Sequence, residues 1–292
     1  MNDSEWLADR FEEQRPRLRS VAYRMLGSLT EADDALQDAW LRVSRAGASE
    51  VDNLGGWLTT IVARVCLNML RARNRRREES LEEQLPDPVV SPYGASQPEE
   101  EALLADSVGL ALLVVLDTLT PAERLAFVLH DMFELPFDEI ARMVDRSPEA
   151  TRQLASRARR RVKGAEVPAP DPDVERQREV VDAFFRAARA GDFDGLVAVL
   201  HPDVVLREDF SHGRPVRVFR GSAAVASQAR TGAVPGAMVM PALVNSAAGA
   251  IVTVRGRPFA VLGFTVRGDK IVEIDAIVGA KRVAGIAAAV LD

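Results

Sequence analysis

The sequence predicts two all-α domains, the second built around a helix-turn-helix, followed by a separate α+β domain. Three observations predict this. Apolar residues recur at three-to-four spacing through residues 6–77 and again through 102–163. Proline-rich, aperiodic stretches break the pattern at residues 77–101 and 164–173. Beyond residue 200, runs rich in β-branched residues separated by glycine turns replace the helical period. A chain of 292 residues is long enough for several modest domains, and the expected division is 1–77, a linker at 78–105, 106–163, a second linker at 164–173, and 174–292.

In the first domain Leu18, Val21, Ala22, Met25 and Leu26 mark one helix, Leu36, Trp40 and Leu41 a second, and Ile61, Val65 and Met69 a third. Thr30 with Asp33 reads as a capping start for the second helix, and Gly55-Gly56 as the turn before the third. Trp57 falls on the apolar face with Ile61 and is expected in the core. Residues 77–101 hold four prolines and many acids, which predicts a mobile or extended linker.

In the second domain Thr120 and Ser147 are expected N-caps, each followed by a proline at the first helical position. Phe137, Ile140, Ala141 and Val144 form an apolar face before a turn at Asp145-Arg146. Ala150, Leu154, Ala158 and Val162 then form the inward stripe of a last helix, leaving Arg152, Gln153, Ser156, Arg159 and Arg160 outward. In the third domain, helices are expected from about Val174 to Ala190, through Leu196 to Leu200, and from about Ser222 to Arg230. Strands are expected at Val204–Arg207, Val216–Phe219, Ala237–Asn245, Ala250–Arg255, Phe259–Arg267 and Lys270–Ile277.

Composition narrows the function. The apolar run from Val108 to Leu116 is far short of the roughly 20 residues a bilayer requires, so it reads as a buried helix. The first residues lack the basic-then-apolar order of a secretory signal, which predicts a cytoplasmic protein. The single Cys66 has no ligand-spaced Cys or His neighbour and reads as a small buried apolar residue, so neither a metal nor a cofactor is expected. Net charge is −6, yet the arginines are segregated. Six lie between Arg64 and Arg77 with no acid, and five, with Lys163, lie between Thr151 and Lys163. Two basic helices point to two phosphate contacts.

The first domain resembles region 2 of extracytoplasmic-function sigma factors through Tyr23-Arg24-Met25-Leu26-Gly27-Ser28, Glu31-Ala32-Asp33-Asp34-Ala35-Leu36-Gln37-Asp38 and Gly56-Trp57-Leu58. The second resembles their region 4 through Leu119-Thr120-Pro121-Ala122-Glu123-Arg124 and the run from Ser147 to Arg159. The tail resembles a SnoaL-like cone of the nuclear-transport-factor-2 (NTF2) fold, which one subgroup of these sigma factors carries. That subgroup's linker motif Trp-Leu-Pro-Glu-Pro is present here in part, as Leu85-Pro86-Asp87-Pro88 after Gln84. Its Asp-Gly-Gly-Gly-Lys loop has the degraded counterpart Asp209-Phe210-Ser211-His212-Gly213-Arg214, and no clear copy of its Asn-Pro-Asp-Lys-Leu motif is found.

The resemblance implies a protein that binds core RNA polymerase and promoter DNA and needs no catalytic residue. Asp33, Asp34, Gln37 and Asp38 would meet the β′ clamp, while region 4 would meet the β flap. Thr151, Arg152, Gln153 and Ser156 would face the bases of the −35 element, with Arg157, Arg159, Arg160 and Arg161 on phosphates. Asn53 would belong to the loop at about 47–53 that captures an unstacked −10 base, with Arg64, Arg71, Arg73 and Arg75 on the backbone. The tail is expected to act by contacting the linker or the region-2 domain, with Leu85, Pro86 and Pro88 of the linker and Asp209, His212 and Arg214 of the tail as regulatory contacts, leaving a separate anti-sigma protein dispensable.

Two alternatives remain at this point. One is a bifunctional protein whose tail binds or transforms a small molecule: some SnoaL-like relatives are enzymes using an Asp, sometimes with a His, and His201, Asp203, Asp209, His212 and Asp275 supply those residue types. His201-Pro202-Asp203 reads more simply as a helix-to-strand turn, and His130 as a packed core residue. The other alternative is an ordinary helix-turn-helix repressor, which would bind its site tightly without polymerase.

Overall fold

Local side-chain chemistry decides where the helices begin and end. Thr120 caps its helix through a complete capping box, its hydroxyl accepting from Glu123 N while the Glu123 carboxylate accepts from Thr120 N, with Pro121 at the first position. Ser147 Oγ accepts from Ala150 N at 3.2 Å and Pro148 follows. Asp145 adopts φ 55° at the end of the preceding helix, the left-handed conformation that Asp tolerates better than most residues. Gly27 takes φ 76° and its N–H closes on Tyr23 O at 2.7 Å, ending the first helix where a Cβ would be strained.

The computed structural model describes residues 3–46, 53–80, 84–94, 109–165, 170–210, 214–232 and 234–291. They form two compact units: Met1–Glu79 with Leu112–Val167, and Ser80–Ala111 with Pro168–Asp292. Both helical regions therefore fall in the first unit, and the linker falls with the tail. Among the described residues no helix is long and apolar enough to cross a membrane.

The first unit contains α1 (Asp3–Leu26), α2 (Leu29–Ala46) and α3 (Leu54–Ser80). Leu18, Val21, Ala22 and Met25 of α1, Ala35, Leu36 and Ala39 of α2 and Leu58, Val62 and Val65 of α3 are all buried, and α1 packs on α2. Cys66 is buried there, and burial pushes its thiol pKa up. Three local expectations change. The second helix begins at Leu29, so Thr30 lies inside it and Asp33 instead pairs with Arg19. Gly55 and Gly56 lie in the first turn of α3, where Gly56 N donates to Asn53 Oδ1 at 3.0 Å. Trp57 and Ile61 are half-buried, because Leu58 and Val62 carry the core face.

The same unit continues with α4 (Leu110–Asp117, whose first two residues cluster with the second unit), α5 (Pro121–Phe127), a π-helical turn (Val128–Met132), α6 (Phe137–Val144) and α7 (Pro148–Gly164). His130 is packed and bonded as expected, stacking on Phe137 at 3.8 Å and donating from Nδ1 to Leu135 O at 2.9 Å. The inward stripe of α7 is Thr151, Ala155 and Ala158, so the helix is rolled by about one residue from the pattern Ala150, Leu154, Ala158.

The second unit is a seven-stranded sheet in the order β1-β4-β5-β6-β7-β2-β3. Its strands are β1 (Val90–Pro92), β2 (Leu200–Asp209), β3 (Arg217–Arg220), β4 (Ala237–Val244), β5 (Ala247–Val254), β6 (Arg257–Arg267) and β7 (Lys270–Val278). Only β2 with β7 is parallel among these pairs. Its helices are α8 (Val174–Ala190), α9 (Phe193–Val199), α10 (Ser222–Thr231), α11 (Ala280–Ile286) and α12 (Ala288–Leu291). α8, α9 and α10 bury one sheet face around Val181, Phe184, Leu196, Val225, Phe264 and Ile274, the NTF2/SnoaL-like arrangement expected from the sequence. Gly249 has no room for a side chain: a Cβ there would lie 2.7 Å from Leu262 O.

The linker takes the extended alternative where it is described: residues 90–92 form β1 and pair antiparallel with β4, Val90 opposite Val244. Three residues ending in proline are too short to signal a strand in sequence; the exposed edge of β4 supplies the template.

Candidate nucleic-acid interface

The Ser147 cap and the Asp145 turn present one face of α7 to solvent. Arg152, Gln153, Ser156, Arg157, Arg159 and Arg160 are exposed on it. Thr151 is not: it is fully buried and its hydroxyl donates to Ser147 O at 3.0 Å, so it cannot reach a base edge. The expected phosphate set also narrows. Arg157 Nε donates to Glu123 at 3.2 Å, and Arg159 is paired with Asp131. Among the described residues no carboxylate pairs with Arg160. Arg152 lies 5.6 Å from the Phe137 ring centroid with only a long 3.7 Å approach to the exposed Glu149.

On α3, Arg64, Arg71 and Arg75 are exposed, and Arg64 donates to Arg142 O at 3.0 Å. Asn53 is exposed while its side chain caps the helix. Arg73 is engaged otherwise. Its Nη2 meets Asp117 Oδ1 at 2.9 Å, and its Nη1 meets Leu26 O at 3.0 Å and Glu31 at 3.3 Å. The same Asp117 oxygen accepts Arg124 Nη1 at 2.9 Å, while Arg124 Nε donates to Arg24 O at 3.1 Å and the Arg24 guanidinium lies 4.9 Å from the Phe133 ring. Asp117 is thus an ionic hub joining the two helical regions within one unit. The arginine cluster was legible in sequence, but its partner, 44 residues away, was not.

On α2, Asp34 and Gln37 are exposed, whereas Asp33 accepts two bonds from Arg19 at 2.7 and 2.8 Å and Asp38 pairs with Arg42 at 2.8 Å. Leu41, 47% exposed one turn beyond Gln37, adds an apolar residue that the sequence pattern had assigned inward.

In the second unit Leu85, Pro86, Pro88 and Asp209 are all buried. Leu85 N donates to Asp209 Oδ2 at 2.8 Å, and Arg282 binds Asp209 at 2.6 Å, Asp87 at 2.7 Å and the Leu85 carbonyl. Val89 and Asn245 exchange two bonds, Val89 N to Asn245 Oδ1 at 2.7 Å and Asn245 N to Val89 O at 2.9 Å. Arg214 is exposed and stands outside this clasp, and His212 lies outside the described residues. Arg282, Asp87 and Asn245 were missed; the only sequence signal for Arg282 is a charge set in an Ala- and Val-rich tail.

The tail's other acid and histidine candidates do not converge. His201 Nδ1 accepts Asp203 N at 3.1 Å, a local turn. Asp275 is buried against Arg207 at 3.0 Å, with Glu273 on the same guanidinium. Burial raises the Asp275 pKa to about 6 against the lowering effect of Arg207. Among the described residues no cluster of His, Cys, Asp and Glu could hold a metal.

Residues 10–76 match the Sigma-70 region 2 family and residues 109–162 the Sigma-70, region 4 family. The chain is 42% identical over 215 residues to the ECF RNA polymerase sigma factor SigJ of Mycobacterium tuberculosis, covering 73% of this chain and 68% of that protein. The chain belongs to the extracytoplasmic-function sigma factors. A probable sigma factor of the same organism, SigI, is 35% identical over 199 residues, 68% of each chain. The crystal structure of M. tuberculosis SigJ matches with a TM-score of 0.73 at 34% identity, over 95% of this chain and 98% of that one. As a sigma factor, the protein directs core RNA polymerase to promoters, and the two exposed arginine-bearing helices lie within the matched regions.

Proposed function

We propose that this sigma factor is regulated in cis, its SnoaL-like tail modulating promoter recognition by holding the linker between regions 2 and 4. The observation that carries this reading is the clasp of Arg282, Asp209 and Asp87 around Leu85, continued by the pairing of β1 with β4. A linker captured as a sheet strand cannot also extend freely between polymerase-bound regions, so clasp and initiation compete for the same residues. The tail performs no chemistry in this reading, and a separate anti-sigma protein is dispensable.

Polymerase docking is assigned to Asp34, Gln37 and Asp38 on the β′ clamp, with Leu41 extending the contact, and to region 4 on the β flap. The −10 element meets Asn53, Arg64, Arg71 and Arg75, with Arg73 joining once Asp117, Glu31 and Leu26 O release it. At the −35 element Arg152, Gln153 and Ser156 read bases and Arg160 binds phosphate. Replacing Arg152 or Gln153 by alanine should cost about 1 to 3 kcal/mol of discrimination at one base pair, whereas Arg160→Ala should weaken all sequences alike and lower the salt slope by about 1. Promoter binding by holoenzyme, measured over a salt series on single-base −35 variants, separates the two behaviours.

The regulatory reading is tested by run-off transcription with core polymerase, comparing the full chain with chains ending after Lys163 and near Pro215. Activity that changes with tail length supports it. Equal activity from all three would remove the tail from regulation, and no initiation from the chain ending after Lys163 would mean the tail is required for folding or activity.

A further inference from the structure

Two arginines on the flank of the recognition helix converge on one carboxylate inside region 4. Glu123 is 4% exposed. Its Oε1 accepts Arg157 Nε at 3.2 Å, and its Oε2 accepts Arg161 Nη1 at 3.3 Å together with Thr120 Oγ1 at 2.8 Å and Thr120 N at 3.2 Å. Arg161 Nη1 also reaches Thr118 O at 3.3 Å. Burial alone would raise the Glu123 pKa, but the Thr120 hydroxyl and amide, then Arg161 and Arg157, hold it below the ordinary carboxylate value, so the anchor stays charged. Arg157 and Arg161 are four residues apart, one turn, and so pull on the same side of α7. Arg159 is held separately by Asp131.

The roll of α7 about its axis decides which side chains face the bases. At a side-chain radius of about 6 Å, a roll of roughly 30° moves each tip by about 3 Å, the length of a hydrogen bond. The fully buried stripe is made of small residues, Thr151, Ala155 and Ala158, with the larger Leu154 and Val162 half-buried beside it. Small residues leave shallow ridges to interlock with α5 and α6. Orientation therefore depends on the polar ties.

We infer that Glu123 is a specificity-determining positioning residue for −35 recognition: its carboxylate fixes the roll of α7 through Arg157 and Arg161, which act as struts rather than phosphate contacts. This rests on the assignment of Arg152 and Gln153 to the −35 bases. Glu123 never touches DNA; it acts through the helix that does.

The charge can be removed without removing the cap, since glutamine serves at the third helical position of a capping box as glutamate does. Glu123→Gln, the double variant R157Q/R161Q and Arg160→Gln are compared in holoenzyme, by run-off from the cognate promoter and from single-base −35 and −10 variants, over a salt series. Glu123→Gln and R157Q/R161Q are each expected to reduce −35 discrimination about tenfold while leaving −10 discrimination at the wild-type level. R157Q/R161Q should keep the wild-type slope of log affinity against log salt, whereas Arg160→Gln should lower it by about 1. Wild-type −35 discrimination in both variants, or a slope lowered by about 2 in R157Q/R161Q, would overturn the inference and return both arginines to the phosphates. If Glu123→Gln fails to fold, R157Q/R161Q decides alone. Arg152→Ala and Gln153→Ala in the wild-type background separate the two failures: unchanged −35 discrimination there sinks the base-reading assignment itself, and the inference with it.

Discussion

Replacing Arg282 by alanine is expected to release the linker from the tail and to lower the stability of the second unit. Asp209 has no exposed surface, and Arg282 is its charged partner at 2.6 Å. Removing one member of a buried pair takes away the other's opposite charge and typically costs about 3 to 5 kcal/mol. Arg282 also holds Asp87 and the Leu85 carbonyl, so the peptide at residues 85–88 loses its anchor in the same step. Amide hydrogen exchange should show Leu85 and Val89 losing protection, while the α8–β7 core keeps it. The double variant R282M/D209N, which removes both charges, should recover most of the stability yet still free the linker. That comparison separates the clasp from a general role in folding. Slow exchange at Leu85 in the double variant would show that β1 pairing alone holds the segment.

Asp117→Asn should have the second largest effect, in the first unit. One Asp117 oxygen accepts from both Arg73 and Arg124, and Arg124 is 1% exposed. Asparagine keeps an acceptor but not the charge, so two guanidiniums lose their shared counter-ion while Arg124 stays buried; a cost of about 2 to 4 kcal/mol is expected, seen as a lowered urea midpoint. Region 4 should then separate from region 2. Cys66 is buried, so dyes on cysteines introduced at Arg45 and Lys163 can report the distance by energy transfer. Efficiency should fall, although Leu26 O and Glu31 still hold Arg73. Unchanged efficiency with lowered stability would mean that the hub is a folding element and not a latch. Arg73→Gln opens the same contact from the region 2 side, so separation should occur there too.

The clasp and the hub share one feature. Both join residues far apart in sequence, Arg282 with Asp87 across 195 positions and Arg73 with Asp117 across 44. Helix caps, by contrast, act over three residues, which is why Thr120, Ser147 and the Asp145 turn could be placed from sequence. The α7 stripe was misplaced by one residue because Thr, Ala and Ala give a weak apolar signal beside Leu154, although the outward set of Arg152, Gln153, Ser156 and Arg160 survived the shift. Val90–Pro92 was invisible as a strand because so short a segment has no period of its own, and it becomes one only where β4 offers unpaired backbone.

By itself, the sequence determined the class of the protein: two helical regions with their caps, two arginine-rich helices, an α+β tail, and the motifs of an extracytoplasmic-function sigma factor. Each of those rests on local spacing. Only the tertiary structure decided which charges remain open to solvent and which are committed internally. Arg73, Arg157, Arg159 and Arg161 look like Arg152 and Arg160 along the chain, yet a charge is committed or available according to the carboxylate that folding brings within about 3 Å of it, and that distance is set by long-range packing.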